Sequence, residues 1–264
     1  MIRIGTVQTS SYETLFETLN RLRYFAALAK EAGCVALCFP ECYLTGYAPE
    51  QAADKAIRRN CEELKTVTAI AKEYDIDLLV GFMERTNDIF HITHGIFRPD
   101  GTTAYYKKTH LGQKERLFFA AGDKLEVFPL SCGLQFGFQL CVETHFPDIT
   151  QTLSLHGAEL IFAPHAVPRV AGERQKIWNK FIPARSYDNR VYLVCCNHAD
   201  GERFAGGCLI TGPDGEEVAS FYEDTSHLLC FDVDTELLRH FRDTNDKLSA
   251  RYYPTHRRPG LYHP

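Results

Sequence analysis

Three side chains with complementary chemistry stand just past the ends of apolar runs. Glu41 follows VALCFP, Lys108 follows TTAYYK, and Cys141 follows LQFGFQL. A strand that hands a polar side chain to a loop fixes it at the rim of a sheet, and in open α/β sheets ligands gather beyond the carboxyl ends of strands. The chemistry of the trio is coherent. A thiol attacks as its thiolate, which a free cysteine populates only to a few per cent at neutral pH. A carboxylate takes that proton as general base, and an ammonium stabilises both the thiolate and a developing oxyanion. Sequence alone does not bring the three together, and a single cysteine after a strand is more often a small buried hydrophobe.

The elements that must position them alternate along the chain. Residues 2–8 read as a strand. Leu15, Leu19, Leu22, Phe25 and Ala29 share one face of a helix over 12–32, with Ser10 or Ser11 as cap and Gly33 as stop. A strand at 35–40, a helix from Ala52 to Tyr74 and a strand at 76–83 follow. HITHGIFRP and TTAYYK pair across an Asp100-Gly101 turn. Further on, 134–140 is a strand, Asp148 caps a helix over 149–157, 159–165 is a strand, 173–188 a helix and 191–197 a strand. A last hairpin turns at Pro213-Asp214-Gly215. Hairpins interrupting the alternation predict an α/β layered fold with mixed sheets rather than a parallel barrel.

No composition break or internal repeat divides the chain, so residues 1–264 are read as one domain. The tail from Arg251, rich in Pro, Tyr, Arg and His, is read as a mobile end or an arm packed on a partner subunit. Lys+Arg 29 against Asp+Glu 34 gives a net charge of −5, which supplies no basic field for nucleic acid. No run approaches the roughly 18 apolar residues of a membrane span, and MIRIGTVQTS does not look like a signal peptide. Ten cysteines, several inside strand-like runs (Cys38, Cys195, Cys196, Cys208, Cys230), fit a reducing compartment. A cytoplasmic protein is expected.

The words around the reactive residues narrow the reading. FPECYLTGY (39–47), YKKTHL (106–111) and CVETHFPD (141–148) occur in that order. Together they resemble the three signature segments of the nitrilase superfamily, the carbon–nitrogen hydrolases, in its amidase-like branch. KERLFFAAGD (114–123), ARSYDN (184–189) with a strand ending in Asn197, and GGCLITGPDGEEVAS (206–220) resemble later segments of the same family. The resemblance implies a four-layer α-β-β-α sandwich and homodimers or higher homo-oligomers; with no glycine-rich phosphate loop and no metal-like Cys or His spacing in the sequence, no organic cofactor or metal is expected. It implies Glu41 as base, Cys141 as nucleophile, and Lys108 with the backbone N–H of Val142 as oxyanion donors. Glu115 maps onto an accessory glutamate that places Lys108 or the substrate. The implied reaction cleaves the C–N bond of a small amide through a thioester, releasing ammonia and a carboxylic acid.

Two departures bear on substrate. His145 stands where the family often has Arg, which removes a fixed cationic fork suited to carboxylates, and Val142-Glu143 replaces a common Tyr-Asp. Tyr47, His145, Phe146, His165 and Arg169 are candidates for the pocket, Arg169 as a partner for a substrate carboxylate. Other readings stay open. They are an N-carbamoyl amine hydrolase, a nitrilase, an acyltransferase and a binding protein of the same fold. Cys141 with His110 or His145 is a Cys–His alternative. Cys34, Cys38 and Cys42, or His91 and His94, have spacings poorly suited to a metal.

Overall fold

The computed structural model describes residues 1–12, 14–243 and 258–261. Its strands are β1 (Ile2–Gln8), β2 (Ala36–Cys38), β3 (Asp77–Thr86), β4 (Ile89–Phe97), β5 (Thr103–Lys107), β6 (Val127–Pro129), β7 (Gln135–Phe138), β8 (Leu160–Pro164), β9 (Tyr192–Cys196), β10 (Cys208–Thr211), β11 (Glu217–Phe221) and β12 (His227–Val233). They form two six-stranded mixed sheets, in the orders β12-β1-β2-β3-β4-β5 and β11-β10-β9-β8-β7-β6. Each sheet has three parallel strands at its centre, β1-β2-β3 and β7-β8-β9, and each continues from its third parallel strand into an antiparallel meander. An antiparallel strand, β12 or β6, closes the other edge. The two sheets therefore share one plan, a repeat the amino-acid pattern does not display.

The helices are α1 (Leu15–Glu31), α2 (Ala52–Lys55), α3 (Glu62–Tyr74), α4 (Pro147–Leu155), α5 (Arg174–Trp178), α6 (Ile182–Asn189) and α7 (Thr235–Asp243). Three apolar cores separate four layers, the expected α-β-β-α sandwich. Phe25, Ala29, Val67 and Ile70 of α1 and α3 pack on Leu37, Leu78 and Val80 of the first sheet. Between the sheets, Ala36, Cys38, Leu79 and Ile92 meet Phe136, Phe138, Phe162 and Val194. On the far side Leu153, Trp178 and Ile182 cover Ile161, Leu193 and Leu209. Side chains alternate along a strand, so Ala36 and Cys38 face inward while Leu37 faces α1. Burial on both faces is why the central runs read as continuously apolar. Among the described residues no helix is long and apolar enough to cross a membrane.

Several boundaries differ from the sequence reading for local reasons. Thr14, not Ser10 or Ser11, caps α1, because Glu17 three residues on returns the hydrogen bond (Glu17 N to Thr14 Oγ1 3.2 Å, Thr14 N to Glu17 Oε2 3.3 Å). The helix expected from Ala52 to Tyr74 is two helices, because Ile57 leaves the helical path to bond with Met83 and Arg85 at the end of β3. Asp148 makes no cap bond; α4 starts at Pro147, with Asp148 in its first turn. The helix expected at 173–188 breaks between Trp178 and Ile182, where Pro183 has no amide for the carbonyl four residues back. Of the tail from Arg251, only the short turn Pro259–Leu261 and Arg258 fall within the described residues.

Candidate active site

The ends of β2, β5, β7, β8 and β9 converge on one edge of the sandwich. Glu41 lies three residues beyond β2, Lys108 directly after β5, Cys141 three beyond β7, and Ala166 and Asn197 follow β8 and β9. Lys108 Nζ donates to Glu41 Oε1 at 2.7 Å and to Glu115 Oε1 at 2.8 Å. Tyr47 Oη donates to the same Glu115 oxygen at 2.9 Å, and Gly112 N donates to its other oxygen at 2.6 Å. Lys108 and Glu41 are wholly buried. Such burial is tolerable only for charges that are paired and hydrogen-bonded. Glu41 Oε2 has no hydrogen-bond partner among the described residues. The loop carrying Glu41 reaches this position because Gly81 of β3 has no side chain: a Cβ there would stand 2.5 Å from Cys42 N and 2.9 Å from Pro40 O.

Electrostatics set the proton inventory. Burial pushes the Glu41 carboxyl up to about 7, with Glu115 and Glu143 adding to the rise and Lys108 opposing it. Burial, then the Glu41 charge, push the Cys141 thiol up to about 12, against Lys108 and a hydrogen bond from the backbone N–H of Ala166. Burial draws Lys108 down, but Glu41, Cys141 and Glu115 outweigh it and hold the ammonium above its ordinary range. The resting site is therefore a protonated thiol, a secure ammonium and a carboxyl poised near neutrality.

Cys141 sits at φ +47°, a left-handed backbone position that costs energy for any residue but glycine. A short 3₁₀ turn (Cys141–His145) starts on it, and its first hydrogen bond runs from Glu143 N to Leu140 O. The Val142 amide precedes that ladder. Glu143, fully buried, holds the turn in place. Its Oε1 accepts from Tyr106 Oη (2.8 Å), Thr109 N (2.7 Å), Thr109 Oγ1 (2.7 Å) and His110 N (3.1 Å), and its Oε2 accepts from Leu140 N (2.7 Å). One carboxylate thus ties the loop after Lys108 to the loop of Cys141. Glu143→Gln sets an NH2 against some of these donors, so a loss of about 2–4 kcal/mol in urea-unfolding stability is expected. A change below about 0.5 kcal/mol, the ordinary surface-substitution range, would remove Glu143 from this role.

Two more supports have roles the sequence does not show: Asn197 reads there only as the end of a strand, and His198 is not singled out. His198 Nε2 donates to the carbonyl of Glu41 at 2.6 Å, and burial pulls its imidazole down to about 4, so it acts as a neutral strut. Asn197 accepts from Val167 N and donates to Val167 O and Gly206 O, pinning the segment whose Ala166 amide faces Cys141. Polar residues closing a strand carry no sequence signal that separates a strut from a surface group.

The remaining candidates divide. Tyr47 joins the cluster through Glu115. His165 is buried, packed at a tilt against Trp178 (centroids 4.8 Å apart), bonded through Nδ1 to Ala163 O, and drawn down by burial to about 3. His145 packs on Phe181 and Phe146 on the His110 ring. Arg169 does not join them: it is half-exposed, paired with Asp224 and bonded to the Gly201 and Glu202 carbonyls. His110 bonds Thr109 Oγ1 through Nδ1 at 2.8 Å. Cys34 packs in the outer core, Cys38 and Cys42 in the inner one. Among the described residues no group of three or more His, Cys, Asp or Glu could hold a metal.

Comparison with known proteins covers nearly the whole chain. Residues 3–243 match the carbon-nitrogen hydrolase family. A nitrilase from Pyrococcus abyssi is 28% identical, over 95% of this chain and 97% of its own length. An (R)-stereoselective amidase from a Pseudomonas species is 28% identical over 81% of this chain and 80% of its own. The crystal structure of an amidase from a Nesterenkonia species superposes with a TM-score of 0.81 at 25% identity, covering 95% of this chain and 96% of the other.

Proposed function

The chain belongs to the carbon–nitrogen hydrolase family, and from that premise we propose that it hydrolyses a small amide through a thioester on Cys141. The observation that carries the reading is the buried Glu41–Lys108–Glu115 charge cluster set against a cysteine on a strained turn. The Cys141 thiol holds its proton far more tightly than Glu41 does, so a free thiolate is not the resting species. The proton passes to Glu41 as Sγ bonds to the amide carbon. The Glu41 oxygen without a partner is the natural acceptor.

An ammonium has three donors, and two of those on Lys108 are engaged by Glu41 and Glu115. The third is left for the tetrahedral oxyanion, with the Val142 amide as second donor. Collapse of that intermediate returns the proton from Glu41 to the nitrogen and expels ammonia. Water, deprotonated by Glu41, then attacks the thioester, and the thiol regains its proton as the carboxylic acid leaves. Glu115 keeps Lys108 in place and its charge secure.

The test is product analysis on a panel of aliphatic primary amides, matched nitriles and N-carbamoyl amines. Ammonia and carboxylic acid in equal amounts from amides are expected, without carbon dioxide. Carbon dioxide rising in step with ammonia would replace the amidase reading with a carbamoylase, and turnover confined to nitriles would replace it with a nitrilase.

A further inference from the structure

Two cysteines far apart in the chain meet beside β1. Cys34, in the turn between α1 and β2, donates its S–H to Cys230 of β12, with the sulfurs 3.5 Å apart. The strand order β12-β1-β2 puts β1 between them, so the Cys34 side chain has to cross that strand. It crosses at Gly5, the residue paired with Cys230 in the register of β1 and β12. A Cβ at Gly5 would stand 3.4 Å from Cys34 Sγ, so a larger side chain there would occupy the crossing. The turn itself is fixed, with Cys34 N donating to Ala29 O at 2.8 Å and Val35 N to Arg3 O at 2.9 Å. Both cysteines pack on the outer core beneath α1 and α3, and the thioester chemistry uses neither.

The pair is asymmetric. Cys230 is half-buried, whereas Cys34 is only 3% exposed. The S–H of Cys34, and after it the Arg3 guanidinium, draw the Cys230 thiol down to about 7 against burial and Asp232, while Cys34, as the donor, is pushed up. A reachable thiolate with a second thiol against it is the arrangement in which oxidation ends as a disulfide. We propose that Cys34 and Cys230 form a modification site, joined by a reversible disulfide when a peroxide reaches Cys230, and that the bond staples β12 to the α1–β2 turn. The Cys230 thiolate attacks one peroxide oxygen, the O–O bond breaks, and the departing hydroxide takes a proton and leaves as water. The Cys34 sulfur then bonds to the sulfur of the Cys230 sulfenic acid. The S–O bond breaks, and the Cys34 proton leaves with the hydroxyl as a second water. The two thiols supply the two electrons that reduce the peroxide. Rotation of the two side chains closes the sulfurs from 3.5 Å to the roughly 2.0 Å of the bond. Other thiols compete poorly: burial pushes Cys61 and Cys132 up, and Cys38, Cys195 and Cys208 are sealed in the core.

The test treats the purified protein with a few equivalents of hydrogen peroxide, blocks free thiols with iodoacetamide and maps peptides without reduction. A peptide pair linking Cys34 to Cys230 is expected in most molecules, released by dithiothreitol. Cys34→Ser, whose hydroxyl still donates to the thiolate, should strand Cys230 as a sulfenic acid that dimedone labels, and Cys230→Ser should leave Cys34 reduced. Peroxide should raise the urea midpoint of the wild type, and that rise should vanish in Cys230→Ser. A pair still reduced after peroxide, linkage of either cysteine to another cysteine or to a second chain, or an unmoved urea midpoint overturns the proposal. None of these outcomes bears on the amidase reading.

Discussion

Cys141→Ala is expected to lower amide turnover by about 10⁴-fold or more while the protein stays folded. The two halves of that expectation have separate causes. Catalysis is lost because the thioester needs a thiol at this position, and the neighbouring Cys42 is fully buried with its thiol pushed well above the usual range. Stability is kept because the strained backbone at φ +47° suits alanine no worse than cysteine, and the Glu143 bonds that hold the turn do not involve the thiol. Cys141→Ser tests the same point more sharply. A hydroxyl holds its proton still more tightly than the thiol, so Glu41 cannot activate it to the same degree, and the variant should be nearly as inactive. Ammonia release at wild-type rate from either variant, with matched circular dichroism, would refute the thioester mechanism.

Much of this site was legible because reactive residues follow strands whose apolar runs are unmistakable. VALCFP, TTAYYK and LQFGFQL deliver Glu41, Lys108 and Cys141 to one edge, since the two hairpin reversals through β4 restore in β5 the direction of β3. What escaped reading is of another kind. The break before Pro183 that separates α5 from α6 lies inside a stretch that reads as one amphipathic helix. Glu143 reads only as a departure from a common Asp, and nothing local shows that five donors converge on it. Arg169 misled for the opposite reason: its partner, Asp224, is 55 residues away in sequence. Likewise β12 is specified by its pairing with β1 at the other end of the chain. Contacts of long sequence separation decide these cases, and local pattern carries no trace of them.

Glu41→Gln separates the demands of catalysis from those of folding. Loss of the general base is expected to cost about 10²–10⁴ in kcat/KM, and the wild-type rate should rise with pH through about 7 as Glu41 ionises. Stability should move the other way. In the unfolded chain a glutamate ionises near its ordinary value, about 4.3, whereas in the folded protein Glu41 keeps its proton to about 7. Between those values the folded state binds more protons than the unfolded state, so stability falls as pH rises. The contribution is fully present below about 4 and is lost once pH passes 7. Glutamine mimics the protonated carboxyl and cannot ionise, so the variant escapes that loss. Its stability relative to wild type should therefore improve by up to about 3 kcal/mol between pH 4 and 7, and level off above. Urea unfolding of both proteins at pH 5, 6, 7 and 8 reads this directly. A difference that stays flat across the series would mean that Glu41 is already ionised at pH 5 and that burial in the folded site does not raise its carboxyl.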